Sequence, residues 1–528
     1  MTKKQQSIVT ALSVIIMILL LLVSGRIWTR IDISSHKAFT LAPVSRNLHN
    51  EIAELVRITY YCSGKLKSVD PAPGEISDLL KEYAARSRGK ILVTFRDPSG
   101  AFVQDAERFG LTPQSLPNVG SGELSLSTVY SGIVIEYLNK AEVIPWAFGL
   151  ETLEYDVTSR IRSLVSGKKR ELGVLAPEPQ KDLSEYYGLL NQVLTQSGFS
   201  VLPLYAGDEI PDTLPALFVL GGAEALDEYA LYRIDRYIQL GGRVLFAVES
   251  VGVDFTYTWD ARLLEDKGLL AMVSFYGATV GQSIVLDPSS LALPYRDASG
   301  QLMLARYPPW VGVLEENGNK DNVLTSGFGG VDLFWASPLS LTLPESGGVT
   351  GEALFSSSPG AWLMTKNFAV RPETSYLFNA EEEETRGSKI LALSLEGIFP
   401  SWFDGVDKPE EEGRPALPDM PPQAKESRIM VVGDSDLAGV ITQYTQSQRN
   451  LDFILQAADW LGSDDDIVGI RNRQSGTGRL DRITDPVKKL SVMRFARILN
   501  VALIPLGIVF FGILRALKRR PGKEQRDA

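Results

Sequence analysis

Two long apolar runs, one near each end, constrain this chain more than any other feature. Ile8 to Val23 reads IVTALSVIIMILLLLV; extended to Trp28, it has about the 20 residues a membrane helix needs. Ile498 to Leu514 reads ILNVALIPLGIVFFGIL, with Pro505 in its middle, a residue that membrane helices tolerate better than soluble ones. No polar face interrupts this second run, which favours a span over a buried helix. Lys3 and Lys4 precede the first run, and Arg515, Lys518, Arg519, Arg520 and Lys523 follow the second. A cleaved signal peptide is the competing reading of the first run, with Val23 and Gly25 as weak cleavage positions. Its length and the basic residues behind it, Arg26 and Arg30, favour an uncleaved anchor. Two spans put both termini on one side. The basic tail outweighs Lys488, Lys489, Arg494 and Arg497 ahead of its span, so the positive-inside rule expects cytoplasmic termini. The roughly 460 residues between the spans are then expected outside the cytoplasmic (inner) membrane.

That middle region has globular chemistry. Over the whole chain 44% of residues are hydrophobic and 22% charged, which excludes a wholly disordered chain and a polytopic membrane protein. The formal charge is 53 − 64 = −11, a balance that does not favour a nucleic-acid partner. Cys62 is the one cysteine and His36 and His49 are the two histidines. No internal disulfide, Cys-rich metal site or multi-His zinc site deep in the chain is expected. Neither metal nor cofactor is implied. A hydrolytic site would have to run on carboxylates, Lys, Arg, Tyr or Ser.

Strand-like and helix-like segments alternate. LVRITYY (Leu55 to Tyr61) and ILVTFR (Ile91 to Arg96) read as strands, with a helix between them over Glu75 to Arg86. Another strand, VYSGIVIEYL, and a helix around Glu151 to Val165 follow. This opening is thioredoxin-like in outline. A redox pair would need a thiol three residues after Cys62, and that position is Lys65, so Cys62 reads as a buried strand-end residue. After the basic SGKKR turn at Ser166 to Arg170 a second series begins, with strands at 171–176, 200–205, 217–220 and 243–248 and helices at 186–195 and 226–240. Strand–helix alternation of this kind implies parallel βαβ units, as in flavodoxin-like or glutamine-amidotransferase-like sheets. An amidotransferase would carry a catalytic Cys, and none exists beyond position 62. KILALSL (Lys389 to Leu395) and RIMVV (Arg428 to Val432) resume the sheet, and a helix carries Leu451, Ile454, Leu455, Ala458 and Leu461.

The expected organisation is therefore α/β throughout, flanked by two transmembrane helices. Residues 1–30 hold a cytoplasmic N-terminus and signal anchor, and 31–168 a thioredoxin-like domain. Residues 169–470 form the second α/β domain, with a β-rich insertion at about 251–388. A juxtamembrane segment covers 471–496, and 497–528 hold the last span and basic cytoplasmic tail. Pro409 to Lys425 is expected as a mobile loop, Glu381 to Glu384 as a solvated loop and Asp464-Asp465-Asp466 as an exposed turn.

Three stretches offer site candidates. Gly221, Gly222 and Glu224 follow a strand, where free backbone N–H groups can receive an anion; a tight turn is the plain alternative. Asp434, Ser435 and Asp436 also follow a strand. They read as a Ser nucleophile resembling GDS-type esterases, a carboxylate cation site, or polar residues capping the next helix. Small residues in the last span, Gly507 and Gly512 among them, would let a partner helix approach closely.

The order of parts resembles the GldG-like, gliding-motility-associated auxiliary proteins of ABC transporters. The likeness rests on Arg30-Ile31-Asp32 with Phe39-Thr40-Leu41-Ala42-Pro43 and on Arg57-Ile58-Thr59-Tyr60-Tyr61 followed by Leu80-Lys81-Glu82-Tyr83 and Arg96-Asp97-Pro98. It continues in Leu217 to Gly222 with Ile234-Asp235-Arg236-Tyr237-Ile238 and Gly241-Gly242. Its last element is Val432-Gly433-Asp434-Ser435-Asp436 with Ala458-Asp459-Trp460-Leu461 and Ile470-Arg471. The resemblance implies a non-catalytic, membrane-anchored bacterial subunit whose extracytoplasmic region binds a ligand, polymer or partner. It implies an ABC permease and a cytoplasmic ATPase as partners. The chain has no G-x-x-x-x-G-K-[ST] loop, so ATP hydrolysis belongs to such a partner. The alternatives are an extracytoplasmic hydrolase using Ser435 and Asp434, or a structural component of an envelope or motility machine.

Overall fold

In a computed structural model, residues 40–470 are described apart from 100, 112, 119–124, 148–152, 168–169, 256–257, 297–300, 326–327, 345–347, 380, 411–412 and 463–469. Both terminal apolar runs, the turn at 464–466, and Gly507 and Gly512 lie outside the described residues. Among the described residues no helix is long and apolar enough to cross a membrane. The fold is mixed α/β with several sheets.

The N-terminal sheet has four strands: β1 (Val56–Cys62), β2 (Ile91–Arg96), β3 (Ser131–Tyr137) and β4 (Lys140–Ile144), in the order β2-β1-β3-β4. β1 runs parallel to β2 and antiparallel to β3, which is antiparallel to β4. Strand alternation divides the residues of β1 between two faces. Val56, Ile58, Tyr60 and Cys62 pack against Ile76, Leu79, Leu80 and Tyr83 of helix α1 (Ala72–Arg86) and against Leu153, Val157 and Ile161 of α2 (Leu153–Ser166). Tyr61 faces the other way, with Val134. Cys62 is fully buried at the end of β1, and burial pushes its thiol pKa up. A buried, protonated thiol is a packing residue.

The larger sheet begins with β5 (Glu171–Leu175), helix α3 (Gly188–Gln196), β6 (Ser200–Leu204), β7 (Ala216–Leu220), helix α4 (Glu228–Gln239) and β8 (Arg243–Ala247). It continues with β9 (Ala278–Val280), β10 (Leu339–Leu341), β11 (Val349–Ser356), β12 (Ile390–Gly397) and β13 (Ser427–Val432), before helix α5 (Gln448–Gly462). The strand order is β9-β10-β12-β13-β8-β7-β5-β6, with β11 also paired to β12. Five neighbours, β6-β5-β7-β8-β13, are parallel. Every residue of β7 is buried because both faces of the sheet are covered. Ala216, Phe218 and Leu220 point to the side of α3 and α5, while Leu217 and Val219 point to the side of α4. Asp227 caps α4 by accepting a hydrogen bond from Ala230 N at 2.9 Å. Gly241, at φ +90°, closes it in the left-handed conformation.

Three features refine the sequence reading. β12 resumes the sheet antiparallel to β13, because a strand's hydrophobicity carries no direction. The acidic run is a short helix, Glu382–Thr385, preceded by a buried Glu381 that accepts from Thr365 N at 2.6 Å. The Pro-rich stretch before β13 lacks regular structure but is tied to α4. Tyr232 OH donates to Pro418 O at 3.0 Å, Arg414 pairs with Asp227 at 2.8 Å, and Leu417 is buried. Between β8 and β12 the chain also builds small two- and three-stranded sheets around an aromatic core that includes Tyr307, Trp310, Phe334 and Trp335.

α5 joins the two sheet systems. Tyr155 OH of α2 donates to Asp459 Oδ1 of α5, and Arg170, just before β5, reaches the same oxygen and the Tyr155 hydroxyl. Asp459 is fully buried and Arg170 nearly so. The Arg170 guanidinium also stacks 3.9 Å above the Phe199 ring.

Candidate functional site

The parallel strands end together at one edge of the sheet, and the loops beyond them carry an unusual density of charge. Open α/β sheets hold ligands outside these carboxyl ends. Glu178 and Lys181 follow β5, Gly221 and Gly222 follow β7, Glu249 follows β8, and Asp434, Ser435 and Asp436 follow β13. Tyr186 and Tyr187 lie just before α3.

Lys181 is the ammonium at the centre. Its Nζ donates to Asp436 Oδ1 at 2.8 Å and to Ser435 Oγ at 3.3 Å, and lies 3.9 Å from Glu249 Oε1. Tyr186 OH donates to the same Asp436 oxygen at 2.7 Å. Glu249 holds the next strand's loop, accepting from Ser435 N at 2.7 Å and from Ser435 Oγ at 2.9 Å. Asp434 accepts from Phe334 N at 2.7 Å and Asp436 N at 2.7 Å. Gly222 N donates to Glu178 Oε1 at 2.9 Å.

Burial sets the protonation of these groups. It pushes Glu249 up to about 7, against the pull of Lys181 and helped by Asp436 and Glu178. It pushes Asp434 well above the usual carboxylate range, with Asp436 adding to the effect. For Lys181 burial works downward, but Asp436 leads a set of neighbours that outweigh it and hold the ammonium well above its ordinary value. Both tyrosines are raised, first by burial. At neutral pH the cluster therefore centres on a Lys181–Asp436 ion pair, beside carboxyls whose negative charge is suppressed.

The sequence candidates fall into separate roles. Asp434, Ser435 and Asp436 converge with Lys181 and Glu249. Ser435 is 0% exposed, so a substrate reaches its hydroxyl only if the loop opens; in this structure it is a tie between loops. The Gly221 and Gly222 N–H groups are not free: the first donates to Ala247 O at 2.8 Å and the second to Glu178. Glu224 stands apart, pairing with Arg262 at 2.8 Å through Oε2 and accepting from Glu265 N at 2.9 Å. The Arg262 guanidinium holds its carboxyl down at about 2. Among the described residues no group of three His, Cys, Asp or Glu side chains has the geometry to hold a metal ion.

Sequence reasoning missed Glu178, Lys181, Tyr186, Tyr187 and Glu249. A signal existed for two of them. Glu178 is three residues past β5 and Glu249 two past β8, so the signal lies at the carboxyl ends of these parallel strands just as it does at those of β7 and β13.

Comparison with known proteins assigns the domain that carries this cluster. A family described as an ABC-type uncharacterized transport system matches residues 169–457. The chain belongs to that family. The resemblance to auxiliary proteins of ABC transporters read from the sequence agrees with it. A domain of unknown function matches residues 35–136, which include β1 and β2. The ABC transport-system match covers all five parallel strands and the loops that build the cluster. A protein of Borreliella burgdorferi, named only as uncharacterized, is 24% identical over 497 residues, covering 93% of each chain. Among solved structures, an N-terminal domain titled mmIFT52 is 12% identical with a TM-score of 0.32, covering 56% of this chain and 98% of that one. An exo-beta-1,4-mannosidase, Op5Man5 from Opitutaceae bacterium strain TAV5, is 9% identical with a TM-score of 0.26, covering 75% and 50%. Likenesses this low carry no argument about this ABC transport-system protein.

Proposed function

We propose that this chain is a non-catalytic, membrane-anchored auxiliary subunit of an ABC transport system. The observation that carries the reading is the family match over residues 169–457. The terminal apolar runs would anchor it in the cytoplasmic membrane with both termini inside, and residues 31–168 and 169–470 would lie outside as two α/β domains. The order β2-β1-β3-β4, with β3 antiparallel to its neighbours, supports a thioredoxin-like reading of the first domain. The order β6-β5-β7-β8-β13 is the 2-1-3-4-5 order of flavodoxin-like sheets and supports that reading of the second. Its partners would be a multi-span ABC permease and a cytoplasmic ATPase, because the chain has no P-loop of its own. The small residues Gly507 and Gly512 would pack against the permease. A non-catalytic role fits a buried Ser435 and a Lys181 committed to Asp436.

Affinity purification of the full chain from native membranes tests the proposal. Stoichiometric recovery of a permease and an ATPase is expected, with ATPase activity that changes when this subunit is removed. Recovery of the chain alone, or an ester hydrolysis that vanishes in Ser435→Ala, overturns it.

A further inference from the structure

The glycine turn after β7 has the form of an oxyanion site that is already occupied. Gly221 and Gly222 both have positive φ, +69° and +105°, conformations that residues with a Cβ rarely adopt. Both carboxylate oxygens of Glu178 lie 2.9 Å from where a Cβ on Gly221 would stand. Glycine is therefore what lets the carboxylate rest on the turn, where its Oε1 accepts from Gly222 N at 2.9 Å. Glu178 belongs to the loop after β5, and the turn to the loop after β7. These two strands are the neighbours at which the order of the parallel sheet reverses, the place where open α/β sheets bind phosphate-bearing ligands. Glu178 thus brings a carboxylate to where the fold presents an anion position.

A second observation points the same way. Tyr187 is 0% exposed, yet its hydroxyl, a donor an oxyanion can use, has no hydrogen-bond partner among the described residues. Unpaired buried polar atoms are rare in native interiors. The Tyr187 phenol feels the charges of Lys181, Asp436, Glu178 and Glu249, so its orphan donor lies within reach of the field of this cluster. Its polar capacity exceeds what the chain's own contacts use. The other carboxyls do not bar an anion. Asp436 is neutralised by Lys181, and burial suppresses the charge of Glu249 and Asp434.

We propose that the Gly221-Gly222 turn is a binding site for oxyanions of the phosphate class, and that Glu178 is its internal occupant, excluding external anions while it stays in place. A simple structural staple between two loops would instead leave nothing to bind when removed.

The test uses the full chain in detergent, with inorganic phosphate and phenyl phosphate as probes and chloride at matched ionic strength as control. Glu178→Ala empties the turn, whereas Glu178→Gln keeps an acceptor oxygen on Gly222 N without the charge. The Ala variant is expected to bind phosphate at least about tenfold more tightly than wild type by calorimetry, with a melting temperature that rises with phosphate concentration. Wild type and the Gln variant should show neither effect. Preference for phenyl phosphate over inorganic phosphate would assign the site to a phosphorylated ligand, and the reverse to the free ion. A folded Ala variant that binds neither probe overturns the proposal, as does a wild type that binds as tightly as the variant. If the Ala variant is unfolded, refolding it in phosphate decides: recovery of near-UV dichroism supports the site, and failure to recover refutes it.

Discussion

Replacing Lys181 by Met removes the one ammonium from a cluster of carboxyls, and its cost can be bounded from two sides. Breaking a buried ion pair by deleting one partner typically costs 3–5 kcal/mol, because the other charge is left unpaired. Lys181 retains 22% side-chain exposure and Asp436 8%, so some water reaches the pair and the lower end applies, about 3 kcal/mol. There is also a ceiling. A stranded carboxylate can escape by taking up a proton, and for an aspartate of ordinary acidity that costs about 4 kcal/mol at pH 7 but only about 1.5 kcal/mol at pH 5. The variant should therefore lose about 3 kcal/mol at pH 7 and no more than about 1.5 kcal/mol at pH 5. Urea unfolding of the detergent-purified full chain, followed by tryptophan fluorescence at both pH values, measures this. Adding Asp436→Asn should recover part of the pH 7 loss, since it removes the stranded charge. A loss at pH 7 below about 1 kcal/mol, or one equally large at pH 5, would mean that burial of an unpaired charge is not what Lys181 prevents.

Three further outcomes follow from the same geometry. The Glu249 carboxyl has a folded value near 7 against 4.5 unfolded, so the folded state holds more protons in that interval. Its contribution to stability is complete below pH 4.5 and is lost as the pH rises through about 7; Glu249→Gln should flatten that fall in a pH series of urea midpoints. Gly433→Ala places a Cβ 2.1 Å from Ser337 O, a backbone atom that itself cannot retreat without moving the next loop. A loss of about 3 kcal/mol or more is expected by the same assay. Cys62→Ala should cost about 1 kcal/mol for a thiol-sized gap and leave partner recovery unchanged, as a pull-down of the variant would show.

Segments buried on both faces were the most legible in the sequence. LFVL in β7 and LVRITYY across β1 read as strands because nearly continuous apolar or β-branched runs are what a covered sheet requires. Boundaries moved where a local residue overrode the pattern. Helix α1 starts at Ala72 rather than Glu75, because Pro73 suits the first helical turn. The half of the cluster supplied by Gly221-Gly222 and Asp434-Ser435-Asp436 was visible through turn chemistry. The other half was not, because Lys181 meets Asp436 across 255 residues, and no local pattern encodes a contact at that separation. The β-rich region between β8 and β12 was opaque for a related reason. Its short strands pair at several separations around aromatic residues rather than along a repeating period.

The bond between Tyr155 and Asp459 also bears on how the chain is made. The two residues are 304 positions apart, so Tyr155 leaves the ribosome long before the carboxylate that will receive its hydroxyl. At about 5–20 residues per second, that interval is about 15–60 s. During it, the first turn of α2 and the Arg170 guanidinium lack that cover, though both are built for an interior. The nascent protein thus carries an unfinished surface until α5 is synthesised, and release of α5 is the step that closes it.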